Sequence, residues 1–276
     1  MRDQLTSHQI STYREQGFLA IEGFLDDEEL QTWRETTQDA VDDRLAVEKN
    51  TPVAPGETVG HRLNNQTDPT AYYAQVFTQC IKLADTHPGM RRLMHDPRLG
   101  RVAGELAGVD GIRIWHDQAL FKPPFGNPTA WHLDNPYWSF SSRDAVSIWV
   151  ALDDATLANG CMWYIPGSHK TARYDNAGIG QNLGGLFSIY PEWRLIDPVP
   201  VPAKAGTAVL HNGLTAHGAG ANMTNRPRRA MTCAYMPDGA TFNGNVNVLP
   251  NDYIEMLKAG DKLDDPNIVP LIWKRK

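Results

Sequence analysis

The feature of this chain that most restricts its fold is a change in the sequence pattern after Gly111. Beyond that residue, short runs rich in β-branched and aromatic residues alternate with turn residues, and no long helical pattern separates them. Strands spaced in this way predict an antiparallel sandwich, barrel or jelly roll. The predicted strands fall within residues 112–122, 145–154, 161–166, 207–212 and 229–236.

The chain before this region predicts a mostly helical support. Thr6 or Ser7 can cap a first helix, and the acids that open the second favour its amino terminus. The predicted segments are, in order, a helix at 5–16, a strand at 17–25, a helix at 26–46, a polar loop at 49–70 and helices at 71–108 that break near Pro88 and Pro97.

No linker divides the sequence, so its 276 residues predict one domain, 1–276. Residues 1–110 would support a β core at 111–240, and residues 241–276 would form a carboxy-terminal tail. Within the core, residues 171–200 contain the run "NAGIGQNLGG" and interrupt the rhythm of strands. A long loop in a compact domain is typical of a lid or a binding loop.

Composition excludes several classes of protein. The net charge is −6, which is not the electrostatic footprint of a protein that binds nucleic acid or an anionic membrane, and it argues mildly against a polyanionic CoA ester as substrate. The 3 cysteines are far apart and form neither a disulfide framework nor a CxxC pattern. We find no signal peptide and no long apolar run, and therefore expect a cytoplasmic protein.

A short polar pattern suggests chemistry within the β region. In "TAWHLDNPYW", His132 and Asp134 are two apart, so on a strand they share one face. A solvated surface pair and a metal site both fit that pattern. Further along, "LTAHGAGANMTNRPRR" supplies His217 and Arg228. Two imidazoles and a carboxylate form the facial triad of non-haem Fe(II) oxygenases, and an arginine can grip a carboxylate bidentately.

With these motifs, the chain resembles the phytanoyl-CoA dioxygenase family of Fe(II)/2-oxoglutarate oxygenases. The resemblance extends over nearly the whole sequence and rests on four stretches: "YREQGFLAIEGFLDDEEL", "LFKPP" followed by "TAWHLDNPYW", "IWVALDDATLANGCMWYIPGSHK", and "AVLHNGLTAHGAGAN" followed by "RPRR". It implies a double-stranded β-helix (jelly-roll, cupin-like) core flanked by α-helices, with Fe(II) as the metal and 2-oxoglutarate and O2 as co-substrates.

Carried over position by position, the resemblance implies a set of site residues. His132, Asp134 and His217 would bind the metal, and Arg228 would bind the C5 carboxylate of 2-oxoglutarate; these four would be the catalytic group. Some related oxygenases place a hydroxyl two residues after this arginine, where this chain has Ala230, so the second partner of the carboxylate stays open. Three further residues would lie near the co-substrate, namely Gln118, Lys122 and Trp149. From the residues alone, Gln118 and Lys122 could equally lie on an exposed strand face, and Trp149 could be a core residue.

Other polar residues are expected to be structural. Arg229 should face away from Arg228, and His169 in "PGSH" should cap a turn. His211 is not expected to bind metal because Asn212-Gly213 breaks its strand. His116 and Asp117 cannot chelate one ion together because they face opposite sides. Aromatic residues Tyr137, Trp138 and Tyr164 could either pack in the core or line a substrate pocket.

The expected activity is hydroxylation of an unactivated C–H bond of a small-molecule substrate, of the acyl or secondary-metabolite type, with release of succinate and CO2. Asp134 favours hydroxylation over halogenation because its carboxylate fills the site that a halide would need. Two alternatives stay open: an inert jelly-roll binding protein, and a metal-dependent jelly-roll isomerase or hydrolase that does not use 2-oxoglutarate. No nucleic acid or membrane partner is expected.

Overall fold

The amino-terminal elements form largely where the sequence predicts them. The computed structural model describes residues 1–50 and 72–276, and the predicted polar loop at 49–70 lies almost wholly outside them. Thr6 caps the first helix and exchanges hydrogen bonds with Gln9, as its position predicted. The elements are α1 (Ser7–Gln16), β1 (Phe18–Ile21) and α2 (Asp27–Asn50).

The prediction of helices over 71–108 is wrong in its first part. The segment "TQCI" forms strand β2 (Thr78–Ile81), which pairs antiparallel with the longest strand of the core. Local pattern could not show this because the pairing partner lies forty residues further on, and tertiary pairing overrides propensity. The helices do break near Pro88 and Pro97, as predicted, and each proline stands in the first turn of the helix that follows the break. The elements are α3 (Leu83–Thr86), α4 (Pro88–Met94) and α5 (Pro97–Ala107).

The remaining strands build two sheets whose pairings are all antiparallel among the described residues. They are β3 (Gly111–Lys122), β4 (Thr129–His132), β5 (Val146–Ala151), β6 (Met162–Tyr164), β7 (Val199–Val201), β8 (Ala208–Asn212), β9 (His217–Ala219), β10 (Arg228–Pro237) and β11 (Leu271–Lys274). A seven-stranded sheet has the order β1-β8-β5-β10-β3-β11 with β2 on β3, and a four-stranded sheet has the order β4-β9-β6-β7.

The carboxy-terminal segment is an integral part of the fold. It contains helix α8 (Asn251–Met256) and strand β11, which pairs with β3. Leu263 and Val269 pack in an apolar cluster with Trp115, Phe140 and Met236. The segment expected as a tail therefore covers one edge of the large sheet.

The predicted lid region is packed at one end. Helix α6 (Ser168–Thr171) ends where the region begins, and the region itself contains helix α7 (Leu186–Ile189) and a 3₁₀ turn at Pro191–Leu195. Leu186, Tyr190 and Trp193 are buried, and the two aromatic rings stack. No helix within the described residues has the combination of length and apolar character that crossing a membrane requires.

Candidate active site

The predicted metal ligands converge at the junction of two short strands. His132 ends β4 and His217 begins β9, and the two are paired in register. Nε2 of each histidine lies 3.6 Å from Oδ1 of Asp134. The potential ligand atoms of all three residues lie within 4.8 Å of one another. The "HLD" spacing does bring the two side chains together, but not along one strand face as predicted. Strand β4 ends at His132, and Asp134 has helical backbone angles (φ −79°, ψ −53°) at the start of a 3₁₀ turn.

Backbone carbonyls fix the tautomer of both histidines. Nδ1 of His132 lies 2.8 Å from the carbonyl oxygen of Ala130, and Nδ1 of His217 lies 2.9 Å from that of Thr215. A carbonyl only accepts, so Nδ1 carries the proton and each Nε2 keeps a free lone pair. Two neutral imidazoles and a carboxylate are the ligand set of the facial triad, so the residues present fit a divalent iron ion.

Asp134 is held by donors on its other oxygen. Ser147 donates to Oδ2 at 2.7 Å, and Nε2 of His211 donates to the same atom at 3.0 Å. The hydroxyl of Tyr164 lies 3.2 Å from Nδ1 of His211 and completes the chain. The donors occupy Oδ2 and leave Oδ1 directed toward the two ligand histidines. His211 is therefore a positioning residue for Asp134, which agrees with the expectation that it is not itself a ligand.

The electrostatics of the site favour the protonation states that bind a metal. Burial alone would raise the pKa of Asp134, but the imidazoles of His217, His132 and His211 hold it well below its usual range. Burial, assisted by His132, lowers the pKa of His217 well below that of a free imidazole. The carboxylate is therefore ionised and the His217 ring neutral at physiological pH.

A cavity of about 440 Å³ opens beside the triad, between the two sheets. The large sheet contributes His116, Gln118, Trp149 and Thr232, and the small sheet contributes Thr129 and Met162. Tyr137 and Trp138 also line it, whereas Tyr164 is buried and stacks on Phe18. Of the two roles considered for these aromatic residues, Tyr137 and Trp138 therefore line the pocket, and Tyr164 packs in the core.

Arg228 lies fully buried behind the cavity wall. The centre of its guanidinium is 5.2 Å from the ring centroid of Trp149 and 5.9 Å from that of Phe77, and both rings line the cavity. Nη2 donates to the carbonyl of Gly160 at 3.2 Å, but Nε and Nη1 have no hydrogen-bond partner among the described residues. Arg229 faces the opposite side, as predicted, and binds Asp153.

Lys122 accompanies Arg228 in the interior. It is register-paired with Arg228 and fully buried, and Nζ donates to the carbonyl of Asn127 at 2.5 Å. Gly160 makes room for the Lys122 side chain, and its carbonyl accepts the hydrogen bond from Arg228. A Cβ there would lie 2.5 Å from the carbonyl of Gly220 and 2.9 Å from the Lys122 side chain, and φ is +90°. Only glycine suits that position.

Gln118 lines the cavity within an amide chain. Nε2 of Gln79 donates to Oε1 of Gln118 at 2.5 Å, and the hydroxyl of Tyr73 donates to Oε1 of Gln79 at 3.1 Å. Because Oε1 of Gln118 is occupied, its amide NH₂ is the group left to face a ligand. The structure therefore groups Gln118 and Trp149 around one cavity and places Lys122 and Arg228 just behind it.

Sequence reasoning missed two side chains of this region. Thr129, three residues before His132, lines the cavity with a buried hydroxyl that has no partner among the described residues. His116 likewise lines the cavity with an unpaired Nδ1. The sequence did contain a signal for His116, because it lies on the same strand face as Gln118 and Lys122. His169 is structural, as predicted, and contacts the carbonyl of Arg14.

Two facing antiparallel sheets around a buried two-histidine, one-carboxylate group define the class of non-haem iron oxygenases. The sequence profile described as Phytanoyl-CoA dioxygenase (PhyH) matches residues 13–230. The chain belongs to this family, whose members and structural neighbours are 2-oxoglutarate-dependent dioxygenases.

Individual relatives are similar to the chain at modest identity. A probable alpha-ketoglutarate-dependent hypophosphite dioxygenase of Stutzerimonas stutzeri is 29% identical over 59% of the chain, which spans only 58% of that protein. The alpha-ketoglutarate-dependent carbocyclase SnoK of nogalamycin biosynthesis has 26% identity and a TM-score of 0.75, with 98% of this chain and 97% of that chain covered. The epimerase SnoN, solved with Fe3+, alpha-ketoglutarate and nogalamycin RO, has 26% identity and a TM-score of 0.68, with 96% and 97% covered.

Proposed function

We propose that this protein is an Fe(II)- and 2-oxoglutarate-dependent oxygenase that hydroxylates an unactivated C–H bond of a small-molecule substrate. Iron, 2-oxoglutarate and O2 together supply the oxidising chemistry, in which 2-oxoglutarate is converted to succinate and CO2. His132, Asp134 and His217 would hold the metal. Asp134 supports hydroxylation over halogenation because its carboxylate occupies the position that a halide would need.

The observation that carries the proposal is the unpaired guanidinium of Arg228. Two of its nitrogens, Nε and Nη1, are buried without a partner among the described residues. A buried charge without a partner is costly, and a carboxylate would satisfy it through two charge-assisted hydrogen bonds. Of the two ends of 2-oxoglutarate, the distal carboxylate fits this position. The keto-acid end would then extend past Trp149 toward the triad.

Four other residues would complete the co-substrate pocket. The hydroxyl of Thr129 is unpaired and lies on the strand that carries His132, which suits it as the second partner of a co-substrate carboxylate in place of the hydroxyl missing at Ala230. Lys122 would add a second positive charge beside Arg228. Gln118 would donate its amide NH₂, and Trp149 would form a wall.

The strand order supports the finer assignment of the fold. In the large sheet, β8-β5-β10-β3 are neighbours, and in the small sheet the order is β4-β9-β6-β7. Successive strands from β3 onward mostly alternate between the two sheets, which is the arrangement of a double-stranded β-helix. We assign that architecture to the core.

The two other functions named from the sequence lack a comparable observation. An inert binding protein would not need three ligand atoms within 4.8 Å of one another. An isomerase or hydrolase that does not use 2-oxoglutarate would have no use for the unpaired donors of Arg228.

Anaerobic addition of Fe(II) and 2-oxoglutarate to the apoprotein tests the proposal. We expect a weak visible charge-transfer band that requires both components and is lost in Asp134→Ala. Release of succinate under air, measured across a substrate panel, then identifies the reaction. A protein that binds Fe(II) but shows neither the band nor succinate release would refute the proposed function.

A further inference from the structure

The cavity beside the triad reaches across the large sheet and is lined by His116, Ala234, Ser147 and His211. Ala234 pairs in register with His116 on one neighbouring strand and with Ser147 on the other, and Ser147 pairs with His211. These four residues form one row across the sheet at the level of the metal ligands. Strands lie about 4.8 Å apart, so His116 stands about 10 Å from Ser147. The small side chain of Ala234 leaves the intervening space open.

His116 presents an unsatisfied polar atom to this cavity. The residue is only 8% exposed, lines the cavity and has no hydrogen-bond partner for Nδ1 among the described residues. Its ring meets that of Trp138 edge to face, with centroids 6.3 Å apart. A buried donor or acceptor without a partner is destabilising, and the usual explanation in a binding site is that a ligand supplies the partner.

The described residues that line the cavity carry no positive charge. Among the described residues that line the cavity, Asp134 is the only one with a formal charge, since Arg228 and Lys122 lie behind the wall. Burial lowers the pKa of His116 to about 4, so its ring is neutral at physiological pH. At the His116 end of the cavity, a phosphonate, phosphinate or CoA ester would therefore exchange water for described residues that offer no counter-charge apart from the metal held at the triad, which is unfavourable.

Much of the remaining wall is aromatic or apolar. Tyr73, Tyr137 and Trp138 line it together with Ile81 and Val248, and Asn247 and Thr232 add polar groups. Aromatic walls favour flat, apolar ligand surfaces through stacking and edge contacts.

Building on the proposed function, we propose that the primary substrate is an uncharged molecule with an aromatic or polycyclic body, whose hydroxyl or carbonyl group hydrogen-bonds to Nδ1 of His116. This contact would hold the polar group of the substrate about two strands away from Ser147, which donates to Asp134, with the reactive carbon over Ala234. The substrate class thus differs from the anionic phosphorus compound named for the relative from Stutzerimonas stutzeri.

A matched pair of probes tests the charge requirement. 2-(Hydroxymethyl)anthraquinone and anthraquinone-2-carboxylate share one ring system and differ at the group that would meet His116. Each is titrated calorimetrically into protein loaded anaerobically with Fe(II) and 2-oxoglutarate. We expect the affinity of the neutral alcohol to be at least about tenfold higher than that of the carboxylate, since the alcohol keeps one hydrogen bond and avoids an uncompensated charge. Equal or tighter binding of the carboxylate, or no binding of the alcohol, would overturn the inference.

Variants of His116 test the contact itself. His116→Leu removes both ring nitrogens and should weaken binding of the alcohol about tenfold, while His116→Asn, whose amide lies close to the position of Nδ1, should retain most of it. The exposed His8 provides the same change, His8→Leu, outside the cavity. Loss of affinity in both His116 variants to the same extent, or in neither, would contradict the proposed hydrogen bond.

The visible band separates the two levels of the proposal. If the band forms in wild type and in His116→Leu, the iron and 2-oxoglutarate sites are intact. Failure of the probe experiments would then refute only the proposed substrate class. If the band does not form in wild type, the proposed function fails, and the inference that rests on it fails as well.

Discussion

Lys122 and Arg228 are register-paired on adjacent antiparallel strands, and both side chains are fully buried. The aromatic ring of Phe77 lies near both, with Nζ of Lys122 4.6 Å from its centroid. Burial, together with the neighbouring charge of Arg228, lowers the pKa of Lys122 to about 6. Lys122 is therefore mostly neutral at physiological pH until an anion enters the pocket.

Binding of 2-oxoglutarate should be coupled to proton uptake by Lys122. A carboxylate beside Nζ favours the charged ammonium, so up to one proton should be taken up per ligand bound near pH 7.5. Calorimetric titration of the Fe(II) form in two buffers of different ionisation enthalpy measures this number. Lys122→Met should abolish the uptake. Identical apparent enthalpies in both buffers would show that Lys122 does not respond to the ligand.

The same residue should make the stability of the ligand-free protein depend on pH. Because the folded pKa lies below that of a free lysine, the unfolded chain holds a proton that the native state has lost above about pH 6. The free energy of unfolding should therefore rise with pH from about 6 toward 10.5. Denaturant titrations at several pH values should show a shallower rise in Lys122→Met; an unchanged slope would contradict the assignment.

Arg228 should be irreplaceable by another cation. Arg228→Lys keeps the charge but loses the two-pronged hydrogen bonding, so affinity for 2-oxoglutarate should fall about tenfold or more. Arg228→Ala should be weaker still. Arg229 supplies the matched control because its guanidinium binds Asp153 on the outer face. A large loss of affinity in Arg229→Ala with none in Arg228→Ala would reverse the assignment of the two side chains.

Removal of a metal ligand should abolish turnover without unfolding the protein. Asp134→Ala and His217→Ala each delete one of three converging ligands. We expect no substrate-stimulated succinate release from either variant, with a far-ultraviolet circular dichroism spectrum like that of wild type. Near-normal succinate release by either variant would remove that residue from the ligand set.

His211 should tune the metal site through Asp134. Loss of its hydrogen bond to Oδ2 leaves Ser147 as the remaining side-chain donor to that oxygen, so Fe(II) affinity in His211→Leu should fall about 10–100-fold. His211→Gln can still donate from its amide and should recover part of the loss. Competition with a chelating dye measures both affinities. Equal affinity in wild type and His211→Leu would limit His211 to core packing.

The glycine-rich part of the predicted lid should respond to ligands while its carboxy-terminal part does not. Asn176 exchanges two hydrogen bonds with the backbone of Leu133, at 3.0 and 2.7 Å, between two metal ligands. Residues 186–193 are anchored by buried side chains. Hydrogen exchange should therefore slow on ligand binding at 174–185 only, and Asn176→Ala should reduce that protection. Equal exchange with and without ligand would argue against a lid.

The sequence by itself was enough for the chemistry that depends on short spacings. The spacing of His132 and Asp134 marked them as a pair, although Asp134 lies just past the end of its strand, and alternation of side chains along a strand separated Arg228 from Arg229. Capping by Thr6 and the rhythm of short apolar runs depend likewise on neighbours along the chain. These features depend on residues that are close in the sequence, so the sequence pattern is enough to predict them.

Only the tertiary structure decided what depends on contacts between distant segments. The pairing of β2 and β11 with β3 turned an expected helix and an expected tail into strands. The register between β5 and β8 places His211 beside Ser147. His211 was not expected to bind the metal, yet it hydrogen-bonds to the carboxylate of Asp134, which is a predicted ligand. The unpaired atoms of Thr129, His116 and Arg228 also depend on which partners the fold leaves out, and no spacing in the sequence records the absence of a partner.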